Sequence, residues 1–280
     1  DTAGVRMAKK FGCPLIIWLD APFPIERAFR QESYFKSLHI SRMRALGQQA
    51  QRIVTVSRVA KEYYSQLGLP EAKILILPNG IPERLLRKGM EFALKRRPFS
   101  QPHECVVGFV GSLSRWHGVT FLLDALRELL NFQSVQWRLQ IVGYGEEYKR
   151  LCAQAHQLGV SPFVEWLGAL PHEQAFERIA QFDIAVLPHT LPTGAPMKLF
   201  EYAALARPVI APDFPNLRAW FTNDELCFIK PEDPQALADA ILSLCKAPKE
   251  AQEMGLRAQA RVAEYTWEKI VQRILNDVQL

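Results

Sequence analysis

Residues 105–147 read CVVGFVGSLSRWHGVTFLLDALRELLNFQSVQWRLQIVGYGEE, and this stretch decides the fold class. An apolar run over 106–112 ends in a glycine turn, apolar residues at helical spacing follow over 118–131, and a second apolar run over 137–143 ends in another glycine turn. Short apolar runs that alternate with amphipathic segments argue for parallel strands covered by helices on both faces. The alternation continues, with strands expected at 164–168, 183–189, 208–212 and 226–230 and helices at 146–158, 172–181, 196–206 and 234–246. The expected class is therefore α/β, a doubly wound sheet from residue 105 onward.

Working back toward the amino terminus, the same logic recurs in shorter form. Strands are expected at 14–19, 52–56 and 73–77, with helices over 25–51 and 57–66. The polar, basic stretch 82–103, which contains Lys95-Arg96-Arg97-Pro98, reads as a linker. A last helix is expected at 267–278. The domain division that follows is 1–95 for a partial first domain, 96–104 for the linker, 105–263 for a ligand-binding domain and 264–280 for a helix packing back toward the first. Because the chain opens on Asp1-Thr2 in what looks like the middle of a fold, the first domain is expected to lack earlier strands.

Bulk properties exclude several classes. With 280 residues, 49% of them apolar, each domain has material for a core. Five widely spaced cysteines, Cys13, Cys105, Cys152, Cys227 and Cys245, form no CxxC pair and point to a reducing cytoplasm. No apolar run reaches the roughly 20 residues that span a bilayer, so membrane contact is expected to be peripheral. Residues 1–100 hold 18 Lys/Arg against 8 Asp/Glu, and residues 101–280 hold 16 against 21. The basic half is a candidate surface for anionic lipid at the inner membrane face or for a polyanion, with a plain solvated helix face as the alternative. No nucleic-acid-binding motif accompanies the charge, so nucleic acid is not an expected partner.

Ligands of open α/β sheets bind beyond the carboxyl ends of the strands, which makes the loops after each strand the ones to read. The first is Gly111-Ser112-Leu113-Ser114-Arg115-Trp116-His117-Gly118. Its glycines let backbone approach a ligand, and the helix start beyond it suits phosphate, with Arg115 and His117 adding charge; glycine for turn geometry alone is the alternative. The second is Gly143-Tyr144-Gly145-Glu146-Glu147, where acidic residues at the helix start favour a structural role, with Gly143 bordering the ligand. The third is Thr193-Gly194-Ala195-Pro196-Met197-Lys198-Leu199-Phe200-Glu201. Pro196 fits a first helical turn, and Lys198 and Glu201, three apart, project from one face. An ammonium near the helix start with a carboxylate one turn deeper suits a nucleoside diphosphate: the cation offsets phosphate charge and the carboxylate accepts from the ribose diol. A surface ion pair is the alternative, disfavoured by the apolar residues Met197, Leu199, Phe200 and Ala203 around it.

At these residues the chain resembles the retaining glycosyltransferases of family four, also called group one. The resemblance rests on Leu77-Pro78-Asn79-Gly80-Ile81, on Phe109-Val110-Gly111-Ser112 with His117-Gly118, and on Lys198-Leu199-Phe200-Glu201-Tyr202 with Arg207-Pro208-Val209-Ile210-Ala211. It implies the GT-B architecture, two Rossmann-like domains with a cleft between them, and retaining transfer of a sugar from a nucleoside-diphosphate sugar to a glycan, lipid-linked or small-molecule acceptor. By the same resemblance Glu201 would hold the donor ribose, Lys198 and the backbone of Gly194, Ala195 and Pro196 would face the diphosphate and sugar, and Gly111-Ser112 would line the leaving group. Leu170, within 168–171, would lie near the base, and Arg115, His117, Gly118, Gly143, Thr193, Met197 and Leu199 complete the expected donor site.

The chain departs from the family pattern at several places. Thr193 stands eight residues before Glu201, where glutamate is frequent; Ser112 and His117 replace arginine and lysine; and Asp20 follows the first strand where many relatives have histidine. Lys198 and Glu201, with Asp20 positioning the acceptor, are the residues expected to act in catalysis; for Asp20 a turn cap is the alternative. No Asp-x-Asp pair is present, so metal-independent transfer with no cofactor is expected. Two other functions stay open: a nucleotide-sugar-binding fragment that does not catalyse, and a nucleotide-sugar epimerase of the same architecture.

Overall fold

A computed structural model of the chain describes residues 3–20, 36–95 and 104–278. The chain divides into two compact units, residues 1–79, 191–195 and 267–280 in the first and residues 80–190 and 196–266 in the second.

The first unit is built on a three-stranded parallel sheet in the order β1-β2-β3, with β1 at Ile16–Leu19, β2 at Arg52–Thr55 and β3 at Ile74–Ile76. Ile17 pairs with Ile53 and Ile53 with Ile74, so branched aliphatics stack across the sheet. Helices α1 (Ala3–Phe11), α2 (Lys36–Gln49) and α3 (Arg58–Gln66) connect and flank it. Ser57 caps α3, its Oγ accepting from the Ala60 amide at 3.1 Å, which explains why the helix starts where a polar residue interrupts the apolar run. Met43, Ala50, Ile53, Ala60, Tyr64, Leu69 and Ile74 form the core. The closing helix of the chain also belongs to this unit: Trp267 meets Trp18 edge to face at 5.4 Å, and Asp277 pairs with Arg52. The expected helix at 25–51 is helical over Lys36–Gln49, and residues 21–35 lie outside the described residues.

The second unit carries a six-stranded, wholly parallel sheet. In chain order its strands are β4 (Glu104–Val110), β5 (Gln136–Val142), β6 (Val164–Gly168), β7 (Ile184–Val186), β8 (Val209–Pro212) and β9 (Cys227–Ile229). Their order across the sheet is β6-β5-β4-β7-β8-β9. The chain winds outward from β4 in one direction through β5 and β6, then returns to pair β7 on the other side of β4. That reversal makes the carboxyl ends of β4 and β7 the switch point of a doubly wound sheet. Val107, Phe109, Leu139, Ile141, Ile184, Val186 and Ile210 supply the sheet's share of a continuous core. Val119, Leu122, Leu123 and Leu126 from α5 (Val119–Leu129) and Leu237 and Ile241 from α10 (Pro234–Lys246) join it. Asp233 caps α10 by accepting from the Ala236 amide at 3.0 Å.

Three further helices, α6 (Tyr148–Gln157), α7 (His172–Ile179) and α8 (Met197–Ala204), lie close to their expected bounds. The strand expected at 183–189 is shorter, Ile184–Val186. Past it, the Tyr202 hydroxyl accepts from the Val110 amide at 2.8 Å, so a side chain satisfies the end of β4 that β7 does not reach.

Three helices were not anticipated, one of them the single turn Pro215–Arg218 (α9) that follows β8. The stretch expected as linker is helical over Glu83–Lys95 (α4), and residues 96–103, the rest of that linker, lie outside the described residues. Residues Pro248–Val262 form α11. Helices α4 and α11 press against the carboxyl end of α8 through glycine: a Cβ at Gly89 would lie 2.2 Å from the Ala204 carbonyl oxygen, and one at Gly255 would lie 2.2 Å from that of Ala206. Lys88 pairs with Glu177 at 2.7 Å and Arg84 with Glu173 at 3.2 Å, tying α4 to α7. Residues 80–95 accordingly belong to the second unit, and the division falls between Asn79 and Gly80 rather than at the expected 95.

Candidate functional site

Three glycines mark the carboxyl ends of β4, β5 and β6. The Gly111 amide donates to the Val142 carbonyl at 2.9 Å, and the Gly143 amide to the Gly168 carbonyl at 2.7 Å. At Gly143, with φ of 140°, a Cβ would lie 1.8 Å from the Gly111 carbonyl oxygen, a collision with backbone that no rotamer relieves. The two loops are knit further by the Leu113 amide donating to Tyr144 at 3.1 Å and the Glu147 amide donating to Leu113 at 3.0 Å. The glycine turns thus form a rigid floor, which supports the structural role expected for Gly143 and extends it to Gly111.

Lys198 stands over this floor. Its Nζ is 4.5 Å from the centroid of the Phe109 ring, and a Cβ at Gly111 would come within 2.2 Å of it. The ammonium is buried and has no hydrogen-bond partner. Burial lowers its pKa to about 7, against the opposing pull of the Glu201 carboxylate. A charge so placed is costly unless an anion shares its site.

Glu201, three residues along the same helix, is 13% exposed, and its Oε1 accepts from Nε2 of His172 at 2.7 Å. His172, the first residue of α7, follows the Gly168 turn and was not among the expected site residues. Its signal in the sequence was its position alone, a polar ring opening the helix after a strand's carboxyl end. Leu170, in that turn, is half-buried. Pro196 is the cap residue of α8, one position before the helical turn it was expected to occupy; the first helical residue, Met197, is 47% exposed, whereas Leu199 is buried in the core. The Tyr202 phenol next along is buried, and burial raises its pKa, so it stays neutral.

The loop after β4 is held from within. Nδ1 of His117 bonds the Ser112 carbonyl at 2.6 Å and lies 3.1 Å from the Ser112 hydroxyl. Gly118, with φ of 69°, caps the helix that follows, and a Cβ there would strike His189. His189 itself bonds the Trp116 carbonyl through Nδ1 at 2.8 Å. His117 therefore shapes the loop, while Arg115 is exposed at the surface with its guanidinium available.

Thr193, Gly194, Ala195 and Asp20 fall in the first unit. Ser57 donates to the Thr193 carbonyl at 2.7 Å, and the Asn79 amide donates to the Ala195 carbonyl at 2.8 Å and to Asp20 Oδ1 at 3.4 Å. Surrounding protein raises the Asp20 pKa, and the Asn79 contact opposes that rise. Among the described residues no group of three His, Cys, Asp or Glu side chains converges as a metal site would require. A separate cavity of about 720 Å³, lined by Phe132, Trp137, Arg138 and Phe163, opens at the amino-terminal ends of β4–β6, the end of the sheet away from its switch point.

Comparison with known proteins adds to this geometry. Residues 104–247 match the family described as Glycosyl transferases group 1, and residues 2–85 match Glycosyltransferase Family 4. D-inositol 3-phosphate glycosyltransferase of Corynebacterium urealyticum is 27% identical over 216 residues, 74% of this chain and 51% of the relative. The chain thus spans about half the length of that relative. Among solved structures, Anabaena Alr3699/HepE in complex with UDP superposes with a TM-score of 0.77 at 20% identity, covering 99% of this chain and 75% of that one. The same protein in complex with UDP-glucose gives 0.74 at 21% identity, covering 99% and 75%. Sucrose-phosphate synthase from Thermosynechococcus elongatus gives 0.73 at 20% identity, covering 99% and 70%. These likenesses show a shared fold, the GT-B arrangement of parallel α/β sheets.

Proposed function

The chain belongs to the group 1 glycosyl transferases, and from that premise we propose that it moves a sugar from a nucleoside-diphosphate sugar to an acceptor hydroxyl. The observation that carries the reading is the unpartnered, buried Lys198 ammonium at the switch point, with Glu201 one turn deeper. Glycosyl transfer builds negative charge on the departing diphosphate while the anomeric carbon becomes cationic. Lys198 is already desolvated, so its charge acts on that diphosphate with little screening. The start of α8 adds amide dipoles of the same sign. Glu201 accepts from the ribose diol, and the Gly111–Gly143 floor lets the nucleotide lie against backbone.

The reading extends to retention of anomeric configuration, to transfer without a metal or other cofactor, and to a uridine nucleotide as the donor to test first. Lys198 supplies the cation that a metal would otherwise provide. A glycan, lipid-linked or small-molecule hydroxyl is the acceptor, with Asp20 positioning it. We also place the reaction at an anionic membrane surface on the cytoplasmic side. Supporting this, α1 exposes Arg6, Lys9 and Lys10 beside Met7 (53%) and Phe11 (63%), the mixture that settles at a lipid interface. Among the described residues no helix is long and apolar enough to cross a membrane.

Calorimetric titration of UDP, GDP, ADP and their sugars into the chain and into Glu201→Ala tests the donor site. One nucleotide class should bind, and the substitution should weaken it at least tenfold; equal binding by both proteins would overturn the assignment. Sugar transfer that persists in excess EDTA is expected, and loss restored by Mn²⁺ would refute the metal-free mechanism.

A further inference from the structure

We propose that His172 is a positioning residue for donor recognition: its imidazole fixes the Glu201 carboxylate in the orientation that receives the ribose diol, so that the two side chains form one ribose-selective unit. The inference rests on the donor-site reading given above for Glu201.

The bond joins residues of two helices, Nε2 of His172 at the first position of α7 and Oε1 of Glu201 in the second turn of α8, at 2.7 Å. Holding the helices together does not require it. Helix α7 is anchored by buried Ala175, Phe176 and Ile179 and by the Arg84–Glu173 and Lys88–Glu177 pairs, and α8 by buried Leu199, Phe200, Tyr202, Ala203 and Ala204. With 54% of the His172 side chain exposed, the pair also contributes little to stability as an ion pair.

What the bond does accomplish is geometric. A glutamate side chain has three rotatable bonds, and at 13% exposure Glu201 presents its carboxylate through a narrow opening. An ionised carboxyl has two oxygens and about four lone-pair directions. His172 occupies one of them on Oε1, leaving Oε2 whole and one direction on Oε1, enough for two hydroxyl donors. Lys198, on the same helix as Glu201, is committed elsewhere: its Nζ lies over the Phe109 ring and makes no hydrogen bond to the carboxylate. His172 is thus the group that sets the carboxylate's rotation before the nucleotide arrives. Freezing a flexible side chain in advance is worth about three- to tenfold in affinity.

The test is calorimetric binding of UDP and of 2′-deoxy-UDP to the wild-type chain, His172→Ala and His172→Gln, with thermal unfolding midpoints as a control on folding. Wild type should prefer UDP. His172→Ala should bind UDP about three- to tenfold more weakly yet bind 2′-deoxy-UDP almost as wild type does, and His172→Gln, whose amide can donate to Oε1, should recover most of the preference. Should the alanine variant fail to fold, the near-isosteric pair His172→Gln and His172→Leu carries the same comparison. A variant lacking the donor that keeps the wild-type preference for UDP, or that loses both nucleotides equally, overturns the inference and leaves the donor site standing. Wild type that binds both nucleotides alike overturns the ribose assignment of Glu201 and the inference with it.

Discussion

Raising the pH from 8 to 9 should weaken nucleotide binding by close to an order of magnitude, and the reason is a single side chain. The Lys198 ammonium is held to a pKa of about 7 by burial before any nucleotide binds. About one lysine in eleven is charged at pH 8 and about one in a hundred at pH 9, so if only the charged form receives the diphosphate, affinity falls about ninefold, or about 1.3 kcal/mol. The terminal phosphate of UDP has its last pKa near 6 and is fully ionised throughout this interval. The Tyr202 phenol, raised by burial, does not titrate there either. The same linkage requires uptake of about 0.9 proton per nucleotide at pH 8. Calorimetry at pH 8 in two buffers of different ionisation enthalpy counts that proton, and titrations at pH 8 and 9 measure the affinity change. Lys198→Met should flatten the pH profile and abolish the uptake. A dissociation constant that stays level from pH 8 to 9 with no proton taken up would mean that Glu201 already keeps the ammonium charged or that Lys198 does not meet the diphosphate, and the catalytic argument would lose its cation.

Other perturbations probe the scaffold. Lys198→Met should stabilise the protein free of nucleotide: the folded pKa lies below the unfolded one, so the unfolded chain binds the extra proton and the cost at pH 7 is about 4 kcal/mol, shrinking as pH rises toward 10.5. Urea midpoints of both proteins at pH 7 and 9 check the sign and the convergence. Gly143→Ala places a Cβ 1.8 Å from the Gly111 carbonyl oxygen at a φ of 140°, and should cost on the order of 3 kcal/mol while weakening nucleotide binding, read by thermal melts and calorimetry. Arg207→Met removes a buried guanidinium that donates to the carbonyls of Leu205, Ala180 and Phe182. Stranding those acceptors should cost roughly 3 kcal/mol in urea unfolding, and a variant as stable as wild type would show that water reaches them.

Much of this molecule was legible because its signals are periodic and local. The six strands of the second sheet are short and mostly apolar, with Gly, Pro or a polar residue at or soon after their ends, and β6 matches its expected bounds, 164–168, at both ends. What escaped depends on partners distant in the chain. Helix α4 looked like a linker because it lies in the polar, basic stretch 82–103 that contains Lys95-Arg96-Arg97-Pro98. Its helicity is stabilised by packing on α8, which a glycine permits and no local pattern announces. The same holds for α11 and Gly255. At the candidate site, the placing of Lys198 and Glu201 on one helix was readable from their spacing, whereas the Lys198 environment needed Phe109 and Gly111, nearly ninety residues earlier. His172 meets Glu201 across 29 residues, and only its place at the start of a helix after a strand's carboxyl end marks it.

The stability cost and the chemistry of the second unit trace to the same few atoms. A doubly wound sheet needs glycine where its strands turn into helices, and here that requirement brings the backbone of Gly111 so close to Gly143 that Gly143 tolerates no side chain, while a side chain at Gly111 would meet Lys198. The space this leaves over Gly111 is where Lys198 is forced, buried and without a hydrogen-bond partner, at a cost that Met in its place would remove. Packing alone gives no reason to keep a lysine there, since an apolar side chain would fill the position over Phe109 with less penalty. A ligand bearing negative charge does give one, because its binding returns the proton that burial displaces. Selection for stability and selection for diphosphate binding therefore predict opposite residues at position 198, and the lysine found there argues for the second.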